Sequence, residues 1–103
     1  MSDEQQTNEE ILRTRIPLEG EIFAIVTEML GANKMRVECD DGNIRIGRIP
    51  GKLRKRVWIR VGDLVLVQPW KVQSNERCDI IWRYTSTQAN WLKKKGYIKN
   101  LNI

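Results

Sequence analysis

From Lys34 to Ile46 the chain changes character at almost every second residue, and this constrains its fold more than any other feature. In KMRVECD, the residues Met35, Val37 and Cys39 alternate with Arg36, Glu38 and Asp40. In NIRIGRI, Ile44 and Ile46 stand opposite Arg45. A period of two is that of a half-buried strand, because successive side chains leave opposite faces of a pleated backbone. Between the two runs stands Asp41-Gly42, a dipeptide suited to a two-residue hairpin turn in which both positions need positive φ. The pattern predicts two antiparallel strands with that dipeptide as their turn.

The same grammar continues on both sides. EIFAIVTEML, after Gly20, is apolar and rich in β-branched residues, and long enough to bend around a small barrel. Gly31-Ala32-Asn33 is a turn signal. Pro50-Gly51 ends the third run, and GKLRKR has the makings of a single helical turn. VWIRV alternates once more, with Val57, Ile59 and Val61 on one side and Trp58 and Arg60 on the other. Gly62-Asp63 reads as a turn, LVLVQPW as a strand, KVQSNER as a polar loop and CDIIWRY as the last strand. Beyond Tyr84 the alternation stops. Thr85 and Gln88 have capping-box spacing, QANWLKKK reads as a short helix, and Gly96 suits its C-terminal end. So short a helix is marginal alone, so Ala89, Leu92 and Trp91 are expected to pack on the strands. Five main strand signals with a short element after the third predict an all-β chain, a five-stranded OB-fold barrel with a short C-terminal α-helix. The expected organisation is a flexible N-terminal tail over 1–16, the barrel over 17–85, and the helix with a short frayed tail over 86–103.

Composition narrows what such a barrel can do. There is no histidine, so the commonest general base is missing, and the two cysteines cannot make a four-ligand zinc site. Cys39 and Cys78 lie in strand-like runs and are expected to be buried free thiols. The spacing of Asp40, Asp41 and Asp79 is specific to no metal. No enzyme activity, metal or cofactor is expected. No apolar run approaches the ~20 residues of a membrane helix. The first eleven residues, MSDEQQTNEEI, are not those of a signal peptide, and the cytoplasm is the expected location.

The net charge is +5 and the pI about 9.5. The excess is concentrated in Arg45, Arg48, Lys52, Arg54, Lys55, Arg56 and Arg60, a run without an intervening acid. Like charge at this density repels itself unless a polyanion relieves it. Phosphate contact is the functional reading and a solvated face the plain one. The run falls beside the usual oligonucleotide face of an OB barrel. Leu53, Val57 and Ile59 would stiffen it from beneath. Trp58 should face outward between Arg56 and Arg60, either as a stacking platform for an unpaired base or as cover for the barrel edge. Arg36 projects from the polar side of the second strand, where it can extend the patch or pair with Glu38 or Asp40. Lys34, Lys71 and Lys93 to Lys95 are weaker candidates, the last three being explained mainly by the helix dipole. The few aromatic residues argue for docking on folded RNA by shape.

GKLRKRVWIRVGDLVLV, preceded by a DG hairpin and followed by CDIIWRY, resembles the translation initiation factor 1A family of archaea and eukaryotes, whose bacterial relative is initiation factor 1. The likeness runs from about Leu18 to Gly96. It implies an OB barrel that binds the small ribosomal subunit at the decoding A site through ribosomal RNA, blocks premature tRNA entry, and helps initiator tRNA and mRNA engage. It also implies work beside other initiation factors, including the 5B-type GTPase, by a cytoplasmic monomer. The RNA-binding residues expected on this basis are Arg36, Arg45, Arg48, Lys52, Arg54, Lys55, Arg56, Trp58 and Arg60. The acidic start and short C-terminal extension depart from the eukaryotic pattern, so functions of the eukaryotic tails do not carry over. The rival readings are a generic single-stranded RNA chaperone of the same fold and an adaptor for acidic proteins or membranes.

Overall fold

A computed structural model describes residues 9–54 and 58–102, the side chains of Lys52 and Arg54 excepted. Five strands form a closed barrel in the order β1-β2-β3-β5-β4. They are β1 (Ile22–Gly31), β2 (Lys34–Cys39), β3 (Ile44–Arg48), β4 (Leu64–Pro69) and β5 (Arg77–Arg83). A helical turn, α1 (Gly51–Arg54), lies between β3 and β4, and α2 (Ser86–Lys94) follows β5. Every pairing is antiparallel except β3 with β5. The expected five-stranded OB barrel with a C-terminal helix is the observed fold. Closure depends on β1, where Ala24 pairs with Cys39 on one side and Val65 on the other. Register shifts between Val26 and Glu28 and between Met29 and Gly31 bend this ten-residue strand, as bulges do.

Two apolar cores both draw on β4, and β1 contributes to each, with Ala24 and Val26 in one and Phe23 in the other. Met35, Val37 and Cys39 of β2, Val65 and Val67 of β4, and Cys78 and Ile80 of β5 fill the barrel, with both cysteines free. Leu64 and Leu66 leave β4 on the other face and pack with Phe23, Tyr84 and Leu92 beneath α2. β4 is therefore buried on both faces, which explains its unbroken apolar run LVLV. Ala89 and Trp91 pack on this second core as expected. The capping box is complete, with Thr85 accepting from the Gln88 backbone and Gln88 accepting from that of Thr85. At the other end Gly96 has φ 80°, and the Tyr97 N–H reaches Leu92 O at 3.1 Å while that of Gly96 reaches Lys93 O at 3.2 Å. This double closure is available because glycine tolerates the left-handed conformation.

Four local expectations are corrected. The two-residue turn with positive φ is Ala32-Asn33, at 50° and 62°, and not Asp41-Gly42. The β2–β3 connection is longer: Gly42 N–H returns to Cys39 O, and only Gly42 of the pair has positive φ. In β3 the facing is inverted. Arg45 and Gly47 point into the barrel, Ile46 is half-buried and Ile44 is 61% exposed. A Cβ on Gly47 would stand 2.8 Å from Ile80 Cδ1, so the barrel has no room there for a side chain. VWIRV does not continue as a strand, since residues 58–60 are irregular and 61–62 form a turn. Its alternation survives at Trp58 and Ile59, outward and inward, but Val61 is exposed. Val57 lies outside the described residues.

The terminal segments are also held more firmly than a tail would be. Residues 9–12 form a helical turn. Thr85 Oγ1 donates to the Glu10 carboxylate, Gln88 Nε2 donates to Glu10 O at 3.0 Å, and Tyr84 OH donates to Arg15 O at 2.5 Å. At the other end Asp40 accepts the backbone N–H groups of Lys99 and Asn100, the latter at 2.6 Å.

Leu92 has no exposed surface and is the main anchor of α2. Leu92→Ala should lower stability by about 2–5 kcal/mol, the usual cost of emptying a leucine site. Chemical denaturation followed by circular dichroism measures this. A loss under ~1 kcal/mol would mean that the helix contributes little to the barrel.

Candidate nucleic-acid interface

Strand register places the basic residues in two rows across the outer face of β2, β3 and β5. Lys34 stands opposite Arg48, and Arg48 opposite Asp79. Arg36 stands opposite Ile46, and Ile46 opposite Arg77. Two of these cations have acid partners. Arg36 pairs with Glu28 on β1, neither with Glu38 nor with Asp40. Arg48 reaches the Asp79 carboxylate through Nε at 3.2 Å and Nη2 at 3.4 Å. Its guanidinium also lies 5.5 Å from the ring centroid of Trp70, whose Nε1 donates to Asp79 Oδ1 at 3.0 Å. Exposed pairs of this kind contribute little to stability, so both guanidinium groups can exchange carboxylate for phosphate at small cost. Lys34 and Arg77 have no side-chain partner among the described residues.

Arg45 is the site residue that the structure removes from this surface. It is 3% exposed. Its Nη1 and Nη2 donate to the two oxygens of Asp41 at 2.9 and 2.8 Å, and its Nε donates to Ser74 O at 2.6 Å. The arginine therefore ties the β2–β3 turn to the loop between β4 and β5. Its inward position follows from β3 parity: Gly47, two residues on, already faces the interior. The bidentate pair holds the Asp41 carboxyl down at about 2, and Asp41 in turn pushes the Arg45 pKa up. Burial pushes the Cys78 thiol up to about 12 and raises that of Cys39, so neither is a ready nucleophile.

Beyond the described part of α1, Trp58 is held at the end of β5, where Arg83 Nη1 donates to Trp58 O at 3.1 Å. Ile49 and Leu53 pack against the barrel core and Ile59 is buried in it. Trp58 is 75% exposed, so the outward placement expected for it is the observed one. Arg60 is exposed, and its side chain has no partner among the described residues. Lys55 and Arg56 lie outside the described residues, as do the side chains of Lys52 and Arg54. Sequence reading missed Arg77 and left Trp70 to packing. Parity with Cys78 and Ile80, both interior, is the signal that would have turned Arg77 outward.

The family model described as translation initiation factor 1A / IF-1 matches residues 11–102. The chain belongs to this family. It is 56% identical over 99 residues to a translation initiation factor 1A from Methanothermobacter thermautotrophicus, covering 96% of this chain and 99% of that one. A Pyrococcus abyssi protein of the same name is 58% identical over 90 residues, covering 87% and 80%. Among solved structures, the bacterial translation initiation factor 1 from the Wolbachia endosymbiont of Brugia malayi superposes with a TM-score of 0.52. That match has 31% identity and covers 67% of this chain and 82% of the other. The family match, over residues 11–102, takes in the C-terminal helix as well as the barrel, in keeping with the resemblance drawn from the motifs.

The Asp41–Arg45 pair makes a pH prediction. A carboxyl whose folded pKa is depressed adds stability that is complete above its ordinary value, 3.8, and lost as pH falls towards about 2. Asp41→Asn should therefore be less stable than the unaltered chain by a constant margin at neutral pH. That margin should shrink between about pH 4 and pH 2. Urea denaturation at stepped pH tests it, and a margin unchanged down to pH 2 would remove the pair as its cause.

Proposed function

We propose that this chain binds the small ribosomal subunit during translation initiation, docking at the A site on ribosomal RNA and aiding engagement of initiator tRNA and mRNA. Family membership supports the process. The observation that carries the mode of binding is Trp58, three-quarters exposed beside a buried Ile59 and flanked by the densest basic run of the sequence. An exposed indole is poorly explained by packing. With Arg56 and Arg60 two residues away on either side in the sequence, it suits an unpaired base between phosphates. Arg36, Arg48, Lys52, Arg54, Lys55, Arg56 and Arg60 supply the phosphate contacts in this reading. Arg45 serves behind them as a brace. Such contacts position a protein without reading sequence, which suits docking on one folded RNA by shape.

The proposal further places the chain in the cytoplasm, as a monomer that binds and does not catalyse, working beside other initiation factors including the 5B-type GTPase. Among the described residues no helix is long and apolar enough to cross a membrane. Asp40, Asp41 and Asp79 each have structural employment, with the C-terminal segment, Arg45 and the Arg48–Trp70 pair respectively.

Sedimentation with purified archaeal small and large subunits, beside an unstructured RNA oligonucleotide, tests the proposal. Saturable binding to the small subunit alone is expected. Equal or tighter binding to the oligonucleotide would favour a general single-strand chaperone, and failure to bind any RNA would favour an adaptor. With ~5 phosphates neutralised, log K should fall against log salt with a slope of about −3.5 to −4.5. A flat response would show that the basic strip is not the docking surface. Trp58→Ala should cost ~1–3 kcal/mol of subunit affinity while shifting stability by no more than about 0.5 kcal/mol.

A further inference from the structure

Ile46 is an oddity in the basic face. It is a half-buried apolar residue on the outside of the barrel, in the row between Arg36 and Arg77. Around it lies a cleft of about 170 Å³ lined by Lys34, Ile46, Arg48, Trp70 and Arg77. A second cleft of about 450 Å³ lies alongside, and Arg48 and Trp70 line it as well. The Arg48 guanidinium and the Trp70 indole, 5.5 Å apart, thus border both clefts. We infer that the cleft over Ile46 is a second, separate RNA contact that receives the base and phosphate of one unpaired nucleotide. This deepens the reading of the chain as an RNA-docking factor and rests on it.

The chemistry of the walls fits that ligand. A nucleotide has a flat apolar face and an anionic end, and the cleft offers both kinds of partner. Ile46 supplies an apolar floor, and Trp70 and Arg48 supply flat π and guanidinium surfaces on which bases stack. Lys34 and Arg77 supply positive charge that nothing among the described residues neutralises. Asp79, the acid in contact with this group, is committed to Arg48 and Trp70.

The site is also rigid before any ligand arrives. Trp70 N–H donates to Arg77 O at 3.0 Å, and Ile46 N–H donates to Glu76 O at 2.8 Å. The first bond joins the two ends of the β4–β5 loop, and the second ties the end of that loop to β3. Arg45 holds the middle of the same loop through Ser74 O. A wall set by backbone hydrogen bonds loses little freedom on binding, which favours a specific contact over a loose electrostatic one. The cleft stands at the Arg77 end of β5, whereas Trp58 is bonded at the other end, where Arg83 Nη1 donates to Trp58 O. The two positions would therefore engage different nucleotides.

The test uses the full chain labelled with ¹⁵N, following its four indole N–H resonances. It is titrated with each of the four nucleoside 5′-monophosphates, and with ribose 5-phosphate as a control. A saturable shift of the Trp70 indole and the Ile46 backbone with a nucleotide, absent with ribose 5-phosphate, is expected. The same shifts with ribose 5-phosphate would reduce the cleft to a phosphate contact and overturn the inference. So would the absence of a saturable shift at Trp70 with any nucleotide. In subunit sedimentation, Lys34→Gln with Arg77→Gln should weaken binding about tenfold, and Trp70→Leu by a similar factor, as loss of base stacking does. The double variant removes no contact seen among the described residues, so a fold defect in Trp70→Leu would not obscure the result. Unchanged subunit binding by the double variant would sink the inference while leaving the proposed function standing. Failure of the unaltered chain to bind subunits would sink the proposed function, whatever the nucleotide titration shows.

Discussion

The structure depends on one strand being buried on both faces. Leu64, Val65, Leu66 and Val67 send alternate side chains into the barrel and beneath α2. A helix of nine residues has too little intrinsic stability to persist alone, and a small barrel needs its wall covered. Each supplies what the other lacks, through β4. The helix thereby occupies the side of the barrel formed by β1, β4 and the end of β5, where Phe23, Ile25 and Ile81 join its core. The face left open is that of β2, β3 and the start of β5, and it is there that the outward cations stand. The position of the candidate interface is thus set by which apolar surface the helix had to cover.

Charge on that open face is arranged in two tiers. Arg36 and Arg48 are paired with carboxylates at exposed positions, whereas Lys34 and Arg77 have no side-chain partner among the described residues. Unpaired cations attract a polyanion at long range, and the paired ones hold their geometry until contact. Arg45 belongs to neither tier. Its buried bidentate bond to Asp41 shapes the surface from behind by fixing two loops together. Removing such a partner leaves an uncompensated buried charge, so the site is sensitive to change there although it touches no ligand.

The strands, the barrel class, the capping box and the outward Trp58 were legible because each follows from local period or local hydrogen-bond chemistry. Met35, Val37 and Cys39 point inward as their alternation requires. What failed was non-local. Asp41-Gly42 has the composition of a tight turn, but the carboxylate of Asp41 is taken by Arg45 and the backbone closes one residue wider. Ile44 and Ile46 look like interior residues until the crowding of Gly47 against Ile80 fixes the parity of β3 the other way. Val61 is lost to the turn at Gly62. The cleft around Ile46 joins residues from β2, β3, the β4–β5 loop and β5, and no pattern within a single segment could assemble it.

The bonds made by the terminal segments sharpen the same point. Glu10 and Arg15 bind at Tyr84, Thr85 and Gln88, and Lys99 and Asn100 bind Asp40. Composition suggests loose polar ends, because few of these residues are apolar. Yet polar residues are held well when they meet fixed donors and acceptors: the Thr85 hydroxyl, the phenol of a buried tyrosine, the carboxylate at a strand end. The bonds of both segments thus go to residues other than Lys34, Arg48 and Arg77. The helix, the terminal segments and the loop braces occupy the remaining sides of a small barrel. One face is left with unpaired charge, an apolar floor and an indole together, and it is the face proposed to meet RNA.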